Sequence, residues 1–204
     1  KVNYCVPTGN FGNILACWYA GQMGLPVGKL ICASNSNNVL TDFLATGTYD
    51  RNRPFHTTMS PSMDILVSSN LERLLYHVSG DAGKVAGWMR ELSVNGKYTV
   101  DEATLTAIQE SFACGCADDG EGAAEIHARF AQDHYLCDPH TAVAFCVAEA
   151  SRSAAPMVVL STASPFKFPR DVLAALGGEV PAGDFAAMAA LTAATGWQAP
   201  ESLR

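Results

Sequence analysis

The chain begins with an apolar run that leads directly into a short loop rich in glycine and asparagine. The run Val2–Val6 has the composition of a buried strand, and residues 7–13 (PTGNFGN) lead into an apolar stripe with helical spacing over 12–23. Residues 29–33 (KLICA) predict a second strand. A strand, a helix and a second strand at this spacing predict a parallel pair with a right-handed crossover, and therefore an α/β fold.

Helical patterns dominate the middle of the chain. Apolar residues recur at helical spacing from Leu71 to Val78, within residues 81–92 and again from Leu105 to Phe112. The strand pattern returns only at Met157–Leu160 (MVVL). We therefore expect a parallel sheet between helices, as part of a three-layer αβα domain with an additional helical subregion.

The predicted elements divide the chain into three parts. Residues 1–60 form a βαβα part around the first loop. Residues 61–138 form a helical region, and residues 139–204 supply a helix, a strand and C-terminal helices that complete the sheet domain. Residues 47–58 show no periodicity, which is typical of a connection.

Local signals predict where several helices begin. Two segments have the spacing of a capping box, in which the N-cap residue and the residue three positions later bond each other's backbone. They are Ser69 with Glu72, and Thr99 with Glu102. Asp138 before Pro139 predicts an N-cap followed by proline at the first helical position. The sequence DDG at residues 118–120 predicts a solvated turn.

The charge of the chain narrows the class of partner. A formal net charge of −7 argues against nucleic acid and against an anionic membrane surface. No apolar run reaches the roughly 18 residues that a membrane span needs. A phosphate-bearing ligand would have to be bound locally, by backbone N–H groups or by a few cations.

Cysteine usage indicates the compartment and excludes an obvious metal site. The seven cysteines are an odd number at irregular spacing, which favours free thiols in a reducing, cytoplasmic compartment over a disulfide framework. Cys114 and Cys116 form the one close pair, and neither His127 nor His134 completes a zinc-binding spacing with them. We therefore expect no metal site.

Two polar loops follow predicted strands, where the ligands of open parallel sheets bind. In the first loop, Gly9 and Gly12 are expected to adopt backbone angles that a Cβ would forbid, and to bring N–H groups of the following helix close to an anion. It lacks the Lys-Ser or Lys-Thr of a Walker loop and the first glycine of a dinucleotide fingerprint. The loop is therefore either a phosphate cradle or a tight turn without a ligand.

The second polar loop is STASP, residues 161–165. Its hydroxyl groups can hydrogen-bond a ring nitrogen without protonating it. They can equally cap a helix and close a turn.

Four segments, taken in order, resemble the C-terminal half of threonine synthase, a pyridoxal-phosphate (PLP) enzyme of the tryptophan-synthase-β type. They are VPTGNFGNILACWYA, SPSMDILVSSNLERLLY, DPHTAVAF and STASPFKFP, which lie between residues 2 and 169. The resemblance implies an incomplete fold-type II PLP enzyme. It also implies a lyase of threonine biosynthesis that converts O-phosphohomoserine and water to threonine and phosphate.

The resemblance also implies roles for individual residues. The phosphate of PLP would be held by Gly9, Asn10, Phe11, Gly12 and Asn13. Thr162 would contact the pyridine nitrogen, and Asn70 and Arg73 would contact the substrate, with a surface or ion-pairing role as the alternative for Arg73. For His140 a structural or surface position stands beside a direct catalytic role.

The resemblance further implies a lysine that forms a Schiff base with PLP. The lysines of the chain are Lys1, Lys29, Lys84, Lys97 and Lys167, and none has the expected sequence context. Lys167 follows the ring-nitrogen loop and would lie on the wrong side of the ring. We therefore expect no catalytic residue in this segment. The lysine would lie in a missing N-terminal half of the same protein, and the segment alone would be inactive.

Two other classes of protein stay open. A different fold-type II PLP enzyme, of the threonine dehydratase or cysteine synthase class, would share the glycine loop. A phosphate-binding module without catalytic activity would account for the absent lysine.

Overall fold

The computed structural model describes residues 1–203, which form one parallel sheet, a small antiparallel ribbon and nine α-helices within that range. The strands are β1 (Val2–Pro7), β2 (Val27–Ser34), β3 (Thr48–Asp50), β4 (Lys97–Thr99), β5 (Phe112–Cys116) and β6 (Met157–Val159). The helices are α1 (Gly12–Gln22), α2 (Val39–Thr46), α3 (Leu71–Ser79), α4 (Ala82–Asn95), α5 (Glu102–Ser111), α6 (Asp119–Asp133), α7 (Pro139–Ala150), α8 (Pro169–Ala175) and α9 (Asp184–Thr195).

The main sheet has the strand order β5-β2-β1-β6, and all its pairs are parallel. Cys5 of β1 is aligned with Ile31 of β2 on one side and with Val159 of β6 on the other. The predicted parallel pairing of the first two strands is confirmed. Strand β5 was not predicted, since Phe112 was assigned to the end of a helix and the residues that follow it to no element.

Helices cover both faces of the sheet. Successive residues of a strand point to opposite faces, so each strand contributes to the core on both sides. Leu30 and Cys32 of β2 pack into the core formed with α1 and α2. Ile31 and Ala33 pack on the other face, against the helix α7. The predicted three-layer αβα arrangement and its α/β class are confirmed.

The antiparallel ribbon lies outside the main sheet and organises the region of α3 to α5. Strand β3 pairs with β4, and the rings of Tyr49 and Tyr98 stack across the pair with centroids 5.4 Å apart. Residues 47–58, predicted as a connection, thus contain a strand. The range 61–138 supplies β4 and β5 as well as helices, and the division of the chain into three parts stays a prediction.

Both predicted capping boxes are wrong. Helix α3 begins after Asn70, which makes no capping bond with its side chain, and the backbone N–H of Ser69 donates to Asn10 instead. Helix α5 is capped by Asp101, whose carboxylate accepts from the N–H of Thr104. Lys84 and that N–H bond lower the pKa of Asp101 to about 2.

A capping box does occur where the sequence predicted a solvated turn. Asp118 accepts from the N–H of Glu121, and the side chain of Glu121 accepts from the N–H of Asp118. The segment is therefore the start of α6. The capping boxes were predicted at the wrong positions because many segments carry an acidic residue three positions after a polar one. Tertiary contacts decide which of these segments begins a helix.

The cysteines differ sharply in their exposure, and this gives a testable prediction. Burial raises the pKa of Cys5, Cys32 and Cys137 to about 12, whereas Cys116 is exposed. Because the thiolate is the reactive form, a thiol reagent at pH 8 should modify Cys116 in a fast phase and the buried thiols only after unfolding. The Cys116→Ser variant should lose the fastest phase, and modification of Cys5, Cys32 or Cys137 in the folded protein, located by peptide mapping, would contradict their burial.

Within residues 1–203, no helix combines the length and apolar character that a membrane crossing requires.

Candidate functional site

A cavity of about 340 Å³ opens beyond the carboxyl ends of β1 and β6. The glycine loop after β1 forms one side, and the loop after β6 forms another. Of the residues to which the sequence assigned binding roles, Gly9, Asn10, Phe11, Gly12, Asn13, Asn70 and Thr162 all line it. The structure thus brings together residues that are up to 153 positions apart in the chain.

The backbone of the glycine loop differs from the expectation. Neither Gly9 nor Gly12 has a positive φ, and the left-handed residue is Phe11, with φ 64°. The ring of Phe11 is buried and lies 5.6 Å from that of Phe112, so core packing holds the unusual conformation. The predicted special backbone angles at the two glycines are therefore wrong, whereas the predicted approach of N–H groups to an anion stays a prediction.

Gly9 is needed because the chain passes very close to it. A Cβ at this position would lie 2.8 Å from the carbonyl oxygen of Ser62 and 3.0 Å from the Cα of Met63. Gly12 is different, since the nearest atom to its Cβ would be the side-chain nitrogen of Asn70, at 3.6 Å. Close packing therefore requires glycine at position 9, whereas a Cβ at position 12 would make only an ordinary contact.

The acceptor groups of the loop are held by the segment that precedes α3. Ser68 donates its hydroxyl to the carbonyl of Gly9 (2.9 Å), and Asn70 donates its amide to the carbonyl of Asn10 (2.8 Å). The side-chain oxygen of Asn10 accepts from the N–H and the hydroxyl of Ser69, at 2.7 and 2.8 Å. These bonds fix the loop without using its N–H groups.

The donor groups of the loop stay free. The N–H groups of Gly9, Asn10, Phe11, Gly12 and Asn13 have no acceptor among residues 1–203. They precede or open α1, whose dipole places partial positive charge at this end. Unpaired N–H groups at a helix N-terminus bind phosphate or carboxylate groups. The loop is therefore competent to bind an anion.

Asn70 and Arg73 occupy different positions relative to the cavity. Asn70 lines the cavity, and its side-chain oxygen accepts a hydrogen bond from Arg73. Arg73 itself lines the groove between α3 and α4. The structure therefore brings Asn70 to the site and places Arg73 behind it.

The loop after β6 supplies Thr162 and an unexpected cation. Thr162 is exposed at the cavity, whereas Ser164 accepts from the N–H of Phe166 and caps a short 3₁₀ turn. Lys167 lines the cavity as well, and no carboxylate among the described residues pairs with it. The expectation that a hydroxyl of this loop caps a turn is therefore confirmed for Ser164, and the contact of Thr162 with a ring nitrogen stays a prediction.

His140 reaches the cavity from the N-terminus of α7 and is 3% exposed. Its Nδ1 lies 2.8 Å from the carboxylate of Asp138, and its Nε2 accepts from the N–H of Ser62 at 3.1 Å. Asp138 is the N-cap of α7, as predicted, and it is fully buried. A surface position for His140 is therefore wrong.

The sequence did not indicate Ser62 and Met63 as cavity residues. These two residues lie at the cavity because their backbone passes close to Gly9, and a single sequence does not reveal such a contact. No group of three or more His, Cys, Asp or Glu side chains within the described range is placed to hold a metal ion.

A parallel sheet between two helix layers, with a polar loop and a cavity at the strand ends, is the arrangement of α/β proteins whose ligands bind at that edge. The family model "Threonine synthase, C-terminal" matches residues 141–196. Human threonine synthase-like 1 is 43% identical over 178 residues, which are 86% of this chain and 24% of that protein. Threonine synthase of Saccharomyces cerevisiae is 39% identical over an alignment 197 positions long, gaps included, which covers 87% of this chain and 38% of that protein.

A solved threonine synthase structure is also similar to this chain. The PLP-bound threonine synthase from Brucella melitensis superposes with a TM-score of 0.85 at 46% identity, over 89% of this chain and 39% of that protein. The chain is a threonine synthase homologue that corresponds to the C-terminal region, and the recognition from four motifs is confirmed. It spans 24% to 39% of the length of these relatives.

Proposed function

We propose that the full-length protein is a PLP-dependent threonine synthase, a lyase that converts O-phosphohomoserine and water to threonine and phosphate. In this proposal the present chain holds the cofactor at its phosphate and at its ring nitrogen. The observation that carries the proposal is the set of five unpaired N–H groups of residues 9–13 beside a cavity at the strand ends. Similarity to a PLP-bound threonine synthase supports it.

The described residues fit the phosphate group of PLP. A dianionic phosphate needs several donors, and the loop offers N–H groups together with the positive end of α1. The cavity of about 340 Å³ is within the usual size range of small-ligand sites. The net charge of −7 does not oppose binding, because the donors are local and fixed.

Thr162 would bind the pyridine nitrogen from the loop after β6. A hydroxyl group can donate a hydrogen bond to that nitrogen without transferring its proton. PLP supplies the withdrawal of electrons that stabilises a carbanion on the substrate, and a neutral partner at its nitrogen tempers this effect. Thr162 would thus set the electronic character of the cofactor.

Asn70 would orient the substrate from the side of α3. Its amide already bonds the carbonyl of Asn10, and its oxygen accepts from Arg73, so both ends of the amide are fixed. The role of Arg73 that we propose is to hold Asn70 in this orientation. Direct contact with the substrate would require the Arg73 side chain to leave the groove between α3 and α4.

The covalent lysine would come from a part of the full-length protein outside this chain. Lys29 donates to the carbonyl oxygens of Gln109 and Glu110, and Lys84 pairs with Asp101, away from the cavity. Lys167 alone among the five lines the cavity, on the same side as Thr162. We propose that it does not form the covalent bond, and that this chain alone has no activity.

The seven cysteines are all free thiols. A reducing compartment keeps thiols in this state, and we propose a cytoplasmic location.

A spectrum separates the two possible sources of the covalent lysine. Full-length protein carrying Lys167→Met should keep the absorbance band of lysine-bound PLP, because another lysine forms that bond. Residues 1–204 alone should show no such band with added PLP. Borohydride reduction followed by peptide mapping identifies the modified residue, and PLP attached to Lys167 would overturn the assignment.

The reaction itself is tested by supplying the full-length protein with PLP and O-phosphohomoserine. Equal amounts of phosphate and threonine should appear. A protein that binds PLP but releases no phosphate from this substrate would refute the proposed reaction while leaving the cofactor site intact.

A further inference from the structure

We propose that His140 is a positioning residue for the phosphate-binding loop, and that it acts through the backbone of Ser62. The inference rests on the proposed function in one respect, namely that PLP is the anion bound by residues 9–13. It assigns a role to a buried histidine that neither binds PLP through the loop nor contacts the ring nitrogen in the proposal above.

The protonation state of His140 follows from its two partners. A backbone N–H can only donate, so Nε2, which lies 3.1 Å from the nitrogen of Ser62, must be the acceptor. The ring proton is therefore on Nδ1, where it is donated to the carboxylate of Asp138 at 2.8 Å. The imidazole is neutral and fixed in one tautomer.

The surroundings of His140 leave it little freedom. The ring lies 4.8 Å from that of Phe168, measured between centroids, and only 3% of the residue is exposed. Asp138 also accepts from the backbone N–H of His140 at 2.9 Å, so the side chain and the helix start are fixed together. The histidine is therefore a rigid link between α7 and residue 62.

The segment that His140 holds is a wall of the phosphate loop. The carbonyl oxygen of Ser62 lies where it would be 2.8 Å from a Cβ on Gly9. The far side of the segment is anchored by Asp64, which accepts from Asn35 (2.8 Å) and Asn37 (2.9 Å). Ser62 thus lies between two anchors, one at Asp64 and the other at His140.

Loss of the His140 anchor would loosen the loop directly. The N–H of Ser62 would lose its acceptor, and the segment around residue 62 would lose its side-chain link to α7 at this point, so its backbone would be free to shift. The backbone of Gly9 lies directly against the carbonyl oxygen of Ser62. A shift of Ser62 would therefore move Gly9 and the N–H groups that follow it in the loop. Phosphate binding depends on those N–H groups pointing at one site.

Two substitutions separate the bond to Ser62 from the bond to Asp138. The amide oxygen of glutamine in His140→Gln can take the place of Nε2 and accept from Ser62. The shorter amide in His140→Asn takes the place of Nδ1, so it can still reach Asp138 but not Ser62. The two variants introduce the same chemical group and differ in which bond they preserve.

The test is PLP binding by the full-length protein, with inorganic phosphate as a competing probe. The dissociation constant of His140→Asn should rise about tenfold, as expected for the loss of one partly buried hydrogen bond that positions the loop. His140→Gln should stay within about threefold of the unchanged protein, since a factor of three is less than 1 kcal/mol. The ³¹P resonance of bound PLP should move in the asparagine variant and return in the glutamine variant.

The outcomes are distinct. Equal losses of melting temperature in both variants with unchanged PLP affinity would show a purely structural histidine and overturn the proposal. Failure of glutamine to restore affinity would also overturn it. A parent protein that binds PLP but releases no phosphate from O-phosphohomoserine would refute the proposed reaction alone, because the inference is measured by cofactor binding.

Discussion

Gly9→Ala in the full-length protein is expected to weaken PLP binding by about 10- to 100-fold. The added Cβ would lie 2.8 Å from the carbonyl oxygen of Ser62 and 3.0 Å from the Cα of Met63. Both contacts are with backbone, which cannot rotate away as a side-chain end can. Forcing a methyl group into such a site costs about 1–3 kcal/mol, and each 1.4 kcal/mol is a factor of ten in affinity.

Gly12→Ala is the matched control for this prediction. It adds the same methyl group three residues later in the same loop, where the nearest atom would be 3.6 Å away. Neither glycine has a positive φ, so the two substitutions do not differ in backbone strain. Equilibrium titration with PLP should show the Gly12 variant within about threefold of the parent, which corresponds to less than 1 kcal/mol. Equal losses in both variants would contradict the packing argument.

The first half of the αβα frame was predictable because its signals are local. The strand before the loop and the helix after it have different hydrophobic periods, and a glycine loop separates them. Sequence motifs then indicated the family, since four long segments in the right order are far more specific than one G-x-x-G turn. Cavity residues on those motifs, including Asn70 and Thr162, were therefore found.

Strand β5 shows why other elements were missed. It follows α5 without a break, and its sequence FACGC contains two small residues and no alternation of polar and apolar side chains. Its extended conformation comes from pairing with β2, about 80 positions earlier in the chain. Strands β3 and β4 are only three residues each and are likewise stabilised by each other. Pairing over such distances leaves no local signal.

The contacts and conformations of the site that escaped prediction depend on similar long-range packing. Ser62 and His140 are 78 positions apart, and their bond joins a loop to the first turn of a helix. The conformation of Phe11 depends on a ring that follows it by about 100 residues. The sequence identifies the residue types that suit a site, but packing decides which of them meet there.

The other large effect is expected for Asp138→Ala, which should lower the free energy of unfolding by about 3–5 kcal/mol. Asp138 is fully buried and accepts from the N–H groups of His140 and Thr141, from the ring of His140 and from the Thr141 hydroxyl. Alanine would leave these donors without an acceptor in a site that water does not reach. An unpaired buried group costs about 1–3 kcal/mol, and the costs of neighbouring groups in one network do not add in full, so the total stays below the sum over the four donors.

Asp118→Ala separates the effect of burial from that of helix capping. Asp118 is also an N-cap, with the same extended backbone and a bond to the N–H of Glu121, but it is exposed. Water can replace the lost acceptor there, so the cost should be about 1 kcal/mol. Urea unfolding of the two variants should therefore differ by a factor of three or more in lost free energy. Similar losses would mean that Asp138 acts only as a helix cap and that the start of α7 tolerates unpaired donors.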